Sequence, residues 1–136
     1  MTVCLDTNVF LQIFSRRHPF HSILRALLSG QISLAVSNEI LLEYEEVTTR
    51  LSGSERWRTV TLLLDNLYVL HGNIRFIEPQ FRFGVIKDDA DDNKFCDCAI
   101  AANADFIVTD DGHFDVLRSA GYKSQPIRPT AFILQL

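Results

Sequence analysis

The chain has 136 residues, of which 47% are hydrophobic and 22% are charged. This length favours a single domain over residues 1–136, and the composition excludes a chain that is disordered for lack of apolar side chains. The formal net charge of −4 excludes a protein that holds nucleic acid by bulk positive charge.

Short β-branched runs alternate with segments of helical periodicity, a pattern typical of an α/β protein with a parallel sheet. The predicted strands cover residues 2–5, 32–36, 74–77, 105–109 and, as a brief fifth at most, 126–129. The predicted helices cover residues 9–14, 21–28, 38–49, 55–70, 92–102 and 114–120. We therefore expect a three-layer α/β/α fold around a central, mostly parallel sheet of four to five strands.

Three further segments have distinct characters. Helix 55–70 carries a row of apolar side chains that we expect to be buried, namely Val60, Leu63, Leu64, Leu67 and Leu70. Residues 80–91 show no periodicity and become acidic, which predicts a loop. The tail 131–136 is too apolar for a free end, so we expect it to pack on the core or on a partner.

Neither the termini nor the cysteines indicate a membrane or metal-thiolate protein. No apolar run reaches the roughly 20 residues of a membrane span, and no basic segment leads into an apolar one at the N-terminus. Cys4, Cys96 and Cys98 lack zinc spacing, and we interpret them as small core residues in a reducing compartment. We therefore expect a cytoplasmic protein with no membrane partner.

Four acids occupy positions where a parallel sheet gathers functional groups. The carboxyl ends of its strands meet at one edge, where helix N-termini surround a common crevice. Asp6 follows the first predicted strand, the adjacent acids Asp110 and Asp111 follow the fourth and offer one candidate between them, and Asp92 opens the helix that leads to the fourth. Glu43 lies in the helix after the second strand, on the same side of that helix as Glu39. The four carboxylates are therefore candidates for one site.

Converging carboxylates repel one another unless a cation lies between them. Oxygen ligands fit Mg²⁺ or Mn²⁺, and one or two such ions would activate water and stabilise the leaving oxygen of a phosphodiester. We expect Asn8 to orient a carboxylate or bind substrate. We expect Thr109 to hydrogen-bond Asp6 or a metal-bound water.

Structural interpretations compete with the functional ones. Asp6 alone serves equally well as a helix cap. We interpret three further acids as residues of a solvated loop, namely Asp88, Asp89 and Asp91.

Asp92 and Asp97 are alternative ligands. Five residues turn a helix by about 500°, so the two side chains point about 140° apart and do not bind one ion. Asp92 gains from the helix dipole, whereas Asp97 is placed to pair with Lys94. We therefore take Asp92 as the ligand and Asp97 as a supporting or surface residue.

Together these residues resemble the PIN-domain family of metal-dependent ribonucleases, and within it the short toxins of Vap-type toxin–antitoxin pairs. The matching motifs are, in chain order, Val3-Cys4-Leu5-Asp6-Thr7-Asn8, the serine-led segment 37–43 ending in Glu43, the helix from Asp92 to Asn103-Ala104, and Thr109-Asp110-Asp111. In the last motif Asp111 matches the acid and Asp110 the variable position.

Two features depart from the family's pattern. His113 stands at a position where the family often has an acid. We expect His113 to cap the following helix rather than to contact substrate. The acidic run 88–92 leaves the register open by one residue, so Asp91 remains an alternative to Asp92.

The resemblance implies a PIN-like endoribonuclease with an RNA substrate, a cognate antitoxin and a homodimeric assembly. Its catalytic and metal-binding acids would be Asp6, Glu43, Asp92 and Asp111, holding one or two Mg²⁺ or Mn²⁺ ions. One alternative is a non-catalytic PIN-like protein-binding module, which would have no need of mutually repelling acids. Another is a different Mg²⁺-dependent phosphoryl-transfer domain, disfavoured because Asn8 stands where such a site needs a second Asp.

The negative charge is unevenly distributed. Residues 88–115 hold nine acids and one base, whereas the rest of the chain holds 8 acids and 12 bases. Metal ions would offset the acidic part, and the remainder is basic enough to meet a phosphate backbone. We therefore predict RNA binding that requires metal and weakens with salt.

Overall fold

A computed structural model describes residues 1–136. The strands are β1 (Thr2–Leu5), β2 (Ser33–Val36), β3 (Ile74–Phe76), β4 (Phe106–Val108) and β5 (Gln125–Ile127). The α-helices are α1 (Thr7–Gln12), α2 (His21–Leu28), α3 (Asn38–Ser52), α4 (Ser54–Asn66), α5 (Asn93–Ala101) and α6 (Pro129–Phe132). A π-helical turn covers Leu67–His71, and 3₁₀ segments cover Ala90–Asp92, Gly112–Ser119 and Ile133–Gln135.

The five strands form one parallel sheet in the order β3-β2-β1-β4-β5. The chain builds outward from β1 to β3, then returns to the other side of β1 to add β4 and β5. The topological switch point, where an open α/β sheet forms its crevice, therefore lies between β1 and β4. The predicted three-layer α/β/α fold is confirmed, with every strand parallel.

The central strand β1 is buried because it has a neighbour on each side and helices over the sheet. Val3, Cys4 and Leu5 are fully buried within a core of 33 hydrophobic residues. Cys96 and Cys98 on α5 join the same core, and all three thiols are free. The cysteines are therefore small core residues, as predicted.

Helix α3 is fastened to the carboxyl end of β1. Ser37 caps the helix by accepting a hydrogen bond from the Ile40 amide at 3.3 Å, a role that its short hydroxyl side chain favours. One turn further on, the buried Tyr44 donates its hydroxyl to the Leu5 carbonyl and stacks on Phe10, with ring centroids 3.8 Å apart. This contact sets the distance between Glu43 on α3 and the residues that follow β1.

The predicted helix 55–70 is wrong in its last turn. Helix α4 ends at Asn66, and the π-helical turn follows. Leu64 and Leu67 are buried as expected, but 73% of Leu70 is exposed. A π-helical turn spaces its hydrogen bonds five residues apart, so it carries Leu70 off the buried face.

The tail packs on the core, as one of the two predicted alternatives required. Phe132 at the end of α6 is fully buried, and its ring lies edge-on to Phe106 of β4, with centroids 6.2 Å apart.

The predicted helix 114–120 is a 3₁₀ segment that begins earlier, at Gly112. No helix has the length and apolar character needed to cross a bilayer.

Candidate functional site

Asp6 lies at the switch point, directly after β1. One carboxylate oxygen accepts from the Thr7 amide at 2.8 Å, and the other accepts from the Thr109 hydroxyl at 2.7 Å. Burial raises the pKa of Asp6, the two hydrogen bonds oppose that rise, and the charges of Asp111 and Glu43 add to it. Asp6 therefore caps α1 and also faces two of the predicted acids.

Thr109 joins the ends of β1 and β4. Its side chain is buried, donates to Asp6 and accepts from the Asp111 amide at 2.9 Å. The predicted hydrogen bond between Thr109 and Asp6 is therefore present. The Thr109 hydroxyl therefore links the Asp6 carboxylate to the Asp111 backbone.

Both oxygens of Glu43 have protein partners. One accepts from the hydroxyl of Thr7, and the Lys94 ammonium lies 2.7 Å from the other. Only 17% of the Lys94 side chain and 24% of the Glu43 side chain are exposed, so solvent screens this ion pair weakly. Sequence reasoning missed both partners, which lie 36 and 51 residues away along the chain.

The predicted pair between Lys94 and Asp97 is wrong, because Lys94 turns to the carboxylate of Glu43. Asp97 instead accepts from the Phe83 amide at 3.0 Å and so holds the preceding loop against α5. Burial raises the pKa of Asp97, although the Phe83 hydrogen bond opposes that rise.

Asp92 ends a 3₁₀ segment and stands immediately before α5. Its Oδ2 atom is buried and has no hydrogen-bond donor. Burial, followed by the charges of Asp89, Asp111 and Asp6, raises the pKa of Asp92 to about 7. In the absence of a cation, this carboxyl group therefore sits at the border between its neutral and charged forms near pH 7.

His113 faces these acids rather than capping a helix. The cap of the 3₁₀ segment after β4 is Asp111, whose carboxylate accepts from the His113 amide at 2.9 Å. The Nδ1 atom of His113 lies 3.4 Å from Asp111 and 3.6 Å from Asp92. The predicted capping role of His113 is wrong because Asp111 already satisfies the free amide.

Asp89 is a further acid of this group. Ligand atoms of Asp89, Asp92 and His113 lie within 4.8 Å of one another, a spacing that could hold a metal ion. Asp89 lies in the loop, but its side chain is partly buried rather than fully solvated. Its position three residues before Asp92 is the available signal, because a 3₁₀ turn places such residues on one side.

The remaining predicted residues lie at the surface. Asn8, Asp91 and Asp110 are exposed, and their side-chain polar atoms make no hydrogen bond. The Asp110 carbonyl accepts from Arg128, which anchors the turn after β4 to the edge of the sheet.

The donor set fits a hard divalent cation. Carboxylates supply most of the ligand atoms, and Asp92 offers a buried oxygen that accepts no hydrogen bond, with the His113 Nδ1 atom 3.6 Å away. The residues whose ligand atoms lie close enough together to hold such a cation are Asp89, Asp92 and His113. Asp6 and Asp111 lie nearby, whereas both oxygens of Glu43 are taken by Thr7 and Lys94. Thr7 and Lys94 bind the Glu43 carboxylate, whereas Thr109 binds the Asp6 carboxylate and the backbone amide of Asp111.

Comparison with known families identifies the family to which this chain belongs. The family model described as the PIN domain matches residues 2–113, which is more than half of the chain. The chain therefore belongs to the PIN-domain family. A search of curated proteins finds no significant match.

Solved structures share the fold over almost the whole chain. VapBC2 from Rickettsia felis, bound to a DNA fragment of its promoter, is similar with 18% identity and a TM-score of 0.63, covering 93% of this chain and 99% of that one. FitAB bound to an IR36 DNA fragment has 17% identity and a TM-score of 0.60, covering 93% and 94%. FitAcB from Neisseria gonorrhoeae has 19% identity and a TM-score of 0.60, covering 94% and 98%.

Proposed function

We propose that this chain is a metal-dependent endoribonuclease and the toxin component of a toxin–antitoxin pair. The observation that carries the proposal is the group of carboxylates at the β1–β4 switch point, where Asp92 keeps a buried oxygen without a donor. Membership of the PIN-domain family supports a nuclease. The likeness to VapBC2 and FitAB, both two-component complexes, supports an antitoxin partner.

In this proposal Asp6, Glu43, Asp92 and Asp111 hold one or two Mg²⁺ or Mn²⁺ ions, and Asp89 and His113 flank them. When bound, the ions supply a more acidic water and positive charge at the leaving oxygen of the phosphodiester.

The residues behind the acids prepare the site. Thr109 orients Asp6 and the Asp111 backbone, while Thr7 and Lys94 orient Glu43. Their part is to keep ligand oxygens in one arrangement before the ions and RNA arrive.

The assembly in this proposal is a single PIN-like domain over residues 1–136 that forms a homodimer in the cytoplasm. Its activity is blocked by a cognate antitoxin. The substrate is RNA, whose backbone phosphates meet the basic part of the surface outside the acidic segment.

Cleavage of labelled RNA with Mg²⁺ or Mn²⁺ tests the proposal. We expect Asp6→Asn to lose at least about a hundredfold in rate, since even residues behind metal ligands are worth up to that factor. The matched control is Asp65→Asn, which changes an exposed acid on α4 and leaves the rate unchanged. Equal cleavage by the Asp6→Asn variant, or full activity in excess chelator, would overturn the proposed site.

A further inference from the structure

A polar cavity of about 690 Å³ lies beside the acidic site. Its walls come from the amino end of α3, the loop 77–84 and the start of α5. This volume is in the range of pockets that hold small organic ligands.

We propose that this cavity binds one nucleobase that carries an exocyclic amino group, next to the cleaved phosphate of a single-stranded RNA. The inference rests on the proposed function for its substrate class.

The cavity and the acidic site share a wall. Lys94 lines the cavity, and its ammonium is the group that lies 2.7 Å from the Glu43 carboxylate. Asp91 and Asn93, which also line the cavity, are the two neighbours of Asp92 in the chain. The cavity therefore lies directly beside the acids that we propose to hold metal, so that one RNA strand can reach both.

An exposed aromatic ring stands at the cavity. Phe81 lines the cavity and is 72% exposed, so its ring is accessible to a ligand there. Its ring lies 6.4 Å from Phe83, which in turn packs edge-on against Tyr122 at 5.5 Å. Asp97 holds the Phe83 amide at 3.0 Å. Phe81 thus offers an exposed face at the cavity on which a base can stack.

The polar lining favours a base over a phosphate. The carboxylates of Glu39, Glu78 and Asp91 line the cavity, and none of them takes part in an ion pair or a hydrogen bond. Such groups repel phosphate, but they accept hydrogen bonds from the amino groups of cytosine, adenine or guanine. Uracil has no exocyclic amino group, so it is the base that this lining disfavours.

Arg82 and Lys94 are the two cations of the cavity. Arg82 has no ion-pair partner, so its guanidinium is available to a neighbouring backbone phosphate. The carboxylates of the cavity are therefore available to a base, and Arg82 is available to a phosphate.

Nitrogen-15 NMR titration of the metal-free protein with AMP, CMP, GMP and UMP tests the cavity independently of cleavage. We expect shifts of the Glu39, Phe81 and Arg82 amides, with UMP bound at least about fivefold more weakly, the lower end of base discrimination by hydrogen bonding. Phe81→Ala should weaken the binding of AMP about tenfold, as expected for the loss of a stacked ring. Phe76→Ala, which removes a half-exposed ring outside the cavity, should leave affinity unchanged. Equal binding of UMP, absence of binding, or an unaffected Phe81→Ala variant would overturn the inference.

Cleavage of a random-sequence RNA pool, followed by sequencing of the ends, tests the link to catalysis. The wild-type protein should avoid uracil at one position beside the cut, and Phe81→Ala and Glu39→Gln should lose that preference while still cleaving. Cleavage whose preference the two variants do not alter contradicts the cavity and leaves the nuclease standing. Amino-base binding in the NMR titration without any RNA cleavage supports the cavity as a nucleotide site and contradicts the nuclease.

Discussion

Asp92 combines a buried, unpartnered oxygen with three nearby carboxylates, and together these raise its pKa to about 7 from 3.8. A carboxyl group whose pKa is higher in the folded state stabilises that state at low pH. This contribution is fully present below the unfolded pKa and is lost as pH rises through the folded pKa. The metal-free protein should therefore lose stability between about pH 4 and pH 7.

Asp92→Asn should remove this part of the pH dependence. At pH 8 in chelator we expect the variant to be about 1–2 kcal/mol more stable than wild type, less than the full shift implies because solvent screens part of the repulsion. At pH 4 the two should be equal. Urea unfolding at both pH values measures the difference, with the exposed Asp110→Asn as control. A difference that does not change with pH would contradict the raised pKa.

Thr109 carries two hydrogen bonds on one buried hydroxyl, so its removal affects both strand ends. Thr109→Val keeps the shape but leaves an Asp6 oxygen and the Asp111 amide without partners. We expect a loss of about 1–3 kcal/mol in the free energy of unfolding and weaker Mn²⁺ binding.

Thr109→Ser is the matched control for that variant, because it retains the hydroxyl and should recover most of the Mn²⁺ affinity. Denaturant unfolding and calorimetric titration with Mn²⁺ measure the two effects. Equal Mn²⁺ affinity in the valine and serine variants would show that the hydroxyl does not position the acids.

At the scale of elements, α3 and β1 are joined by Tyr44, whose hydroxyl donates to the Leu5 carbonyl one residue before Asp6. Tyr44→Phe should lower the free energy of unfolding by about 1–2 kcal/mol, since it leaves a buried carbonyl without this donor. It should also reduce RNA cleavage, because Glu43 and Asp6 are set by the same contact. Tyr68→Phe, at a half-exposed tyrosine of the π-helical turn, is the control and should change neither quantity.

The same elements show what local sequence predicts well. The hydrophobic run of β1 and the Ser37 cap of α3 are local signals, and both elements begin where the sequence indicates. For the turn after Asn66 and the segment after Asp111, the sequence predicts ordinary α-helix. Both adopt other hydrogen-bond spacings, which depend on packing rather than on residue type, and there the prediction fails.

At the scale of the molecule, the acidic segment 88–115 contrasts with a basic remainder, and the proposed ions would neutralise part of that segment. A ligand that binds only the folded state stabilises it, and a concentration of ten times Kd contributes about 1.4 kcal/mol. We therefore expect Mn²⁺ to raise the Tm of the wild-type protein by several degrees and that of Asp6→Asn by much less. Asp65→Asn should respond like wild type. An equal rise in all three proteins would indicate binding away from the proposed acids.

The sequence by itself determined the fold class and proposed four candidate acids, with the family resemblance selecting Asp111 over Asp110. Alternating strands and helices are local patterns, and they place Asp6 and Asp111 after strands, Asp92 at the start of a helix and Glu43 within the helix after the second strand. Asp6, Asp92 and Asp111 accordingly lie where the ends of β1 and β4 meet.

Only the tertiary structure decided how these acids are held and which others join them. Lys94 lies three residues from Asp97 in the chain, yet it pairs with Glu43, 51 residues away. Asp89 and His113 join Asp92 because the loop before α5 and the segment after β4 fold over the same edge of the sheet. Periodicity describes each element separately, whereas such contacts depend on how separate elements pack against one another.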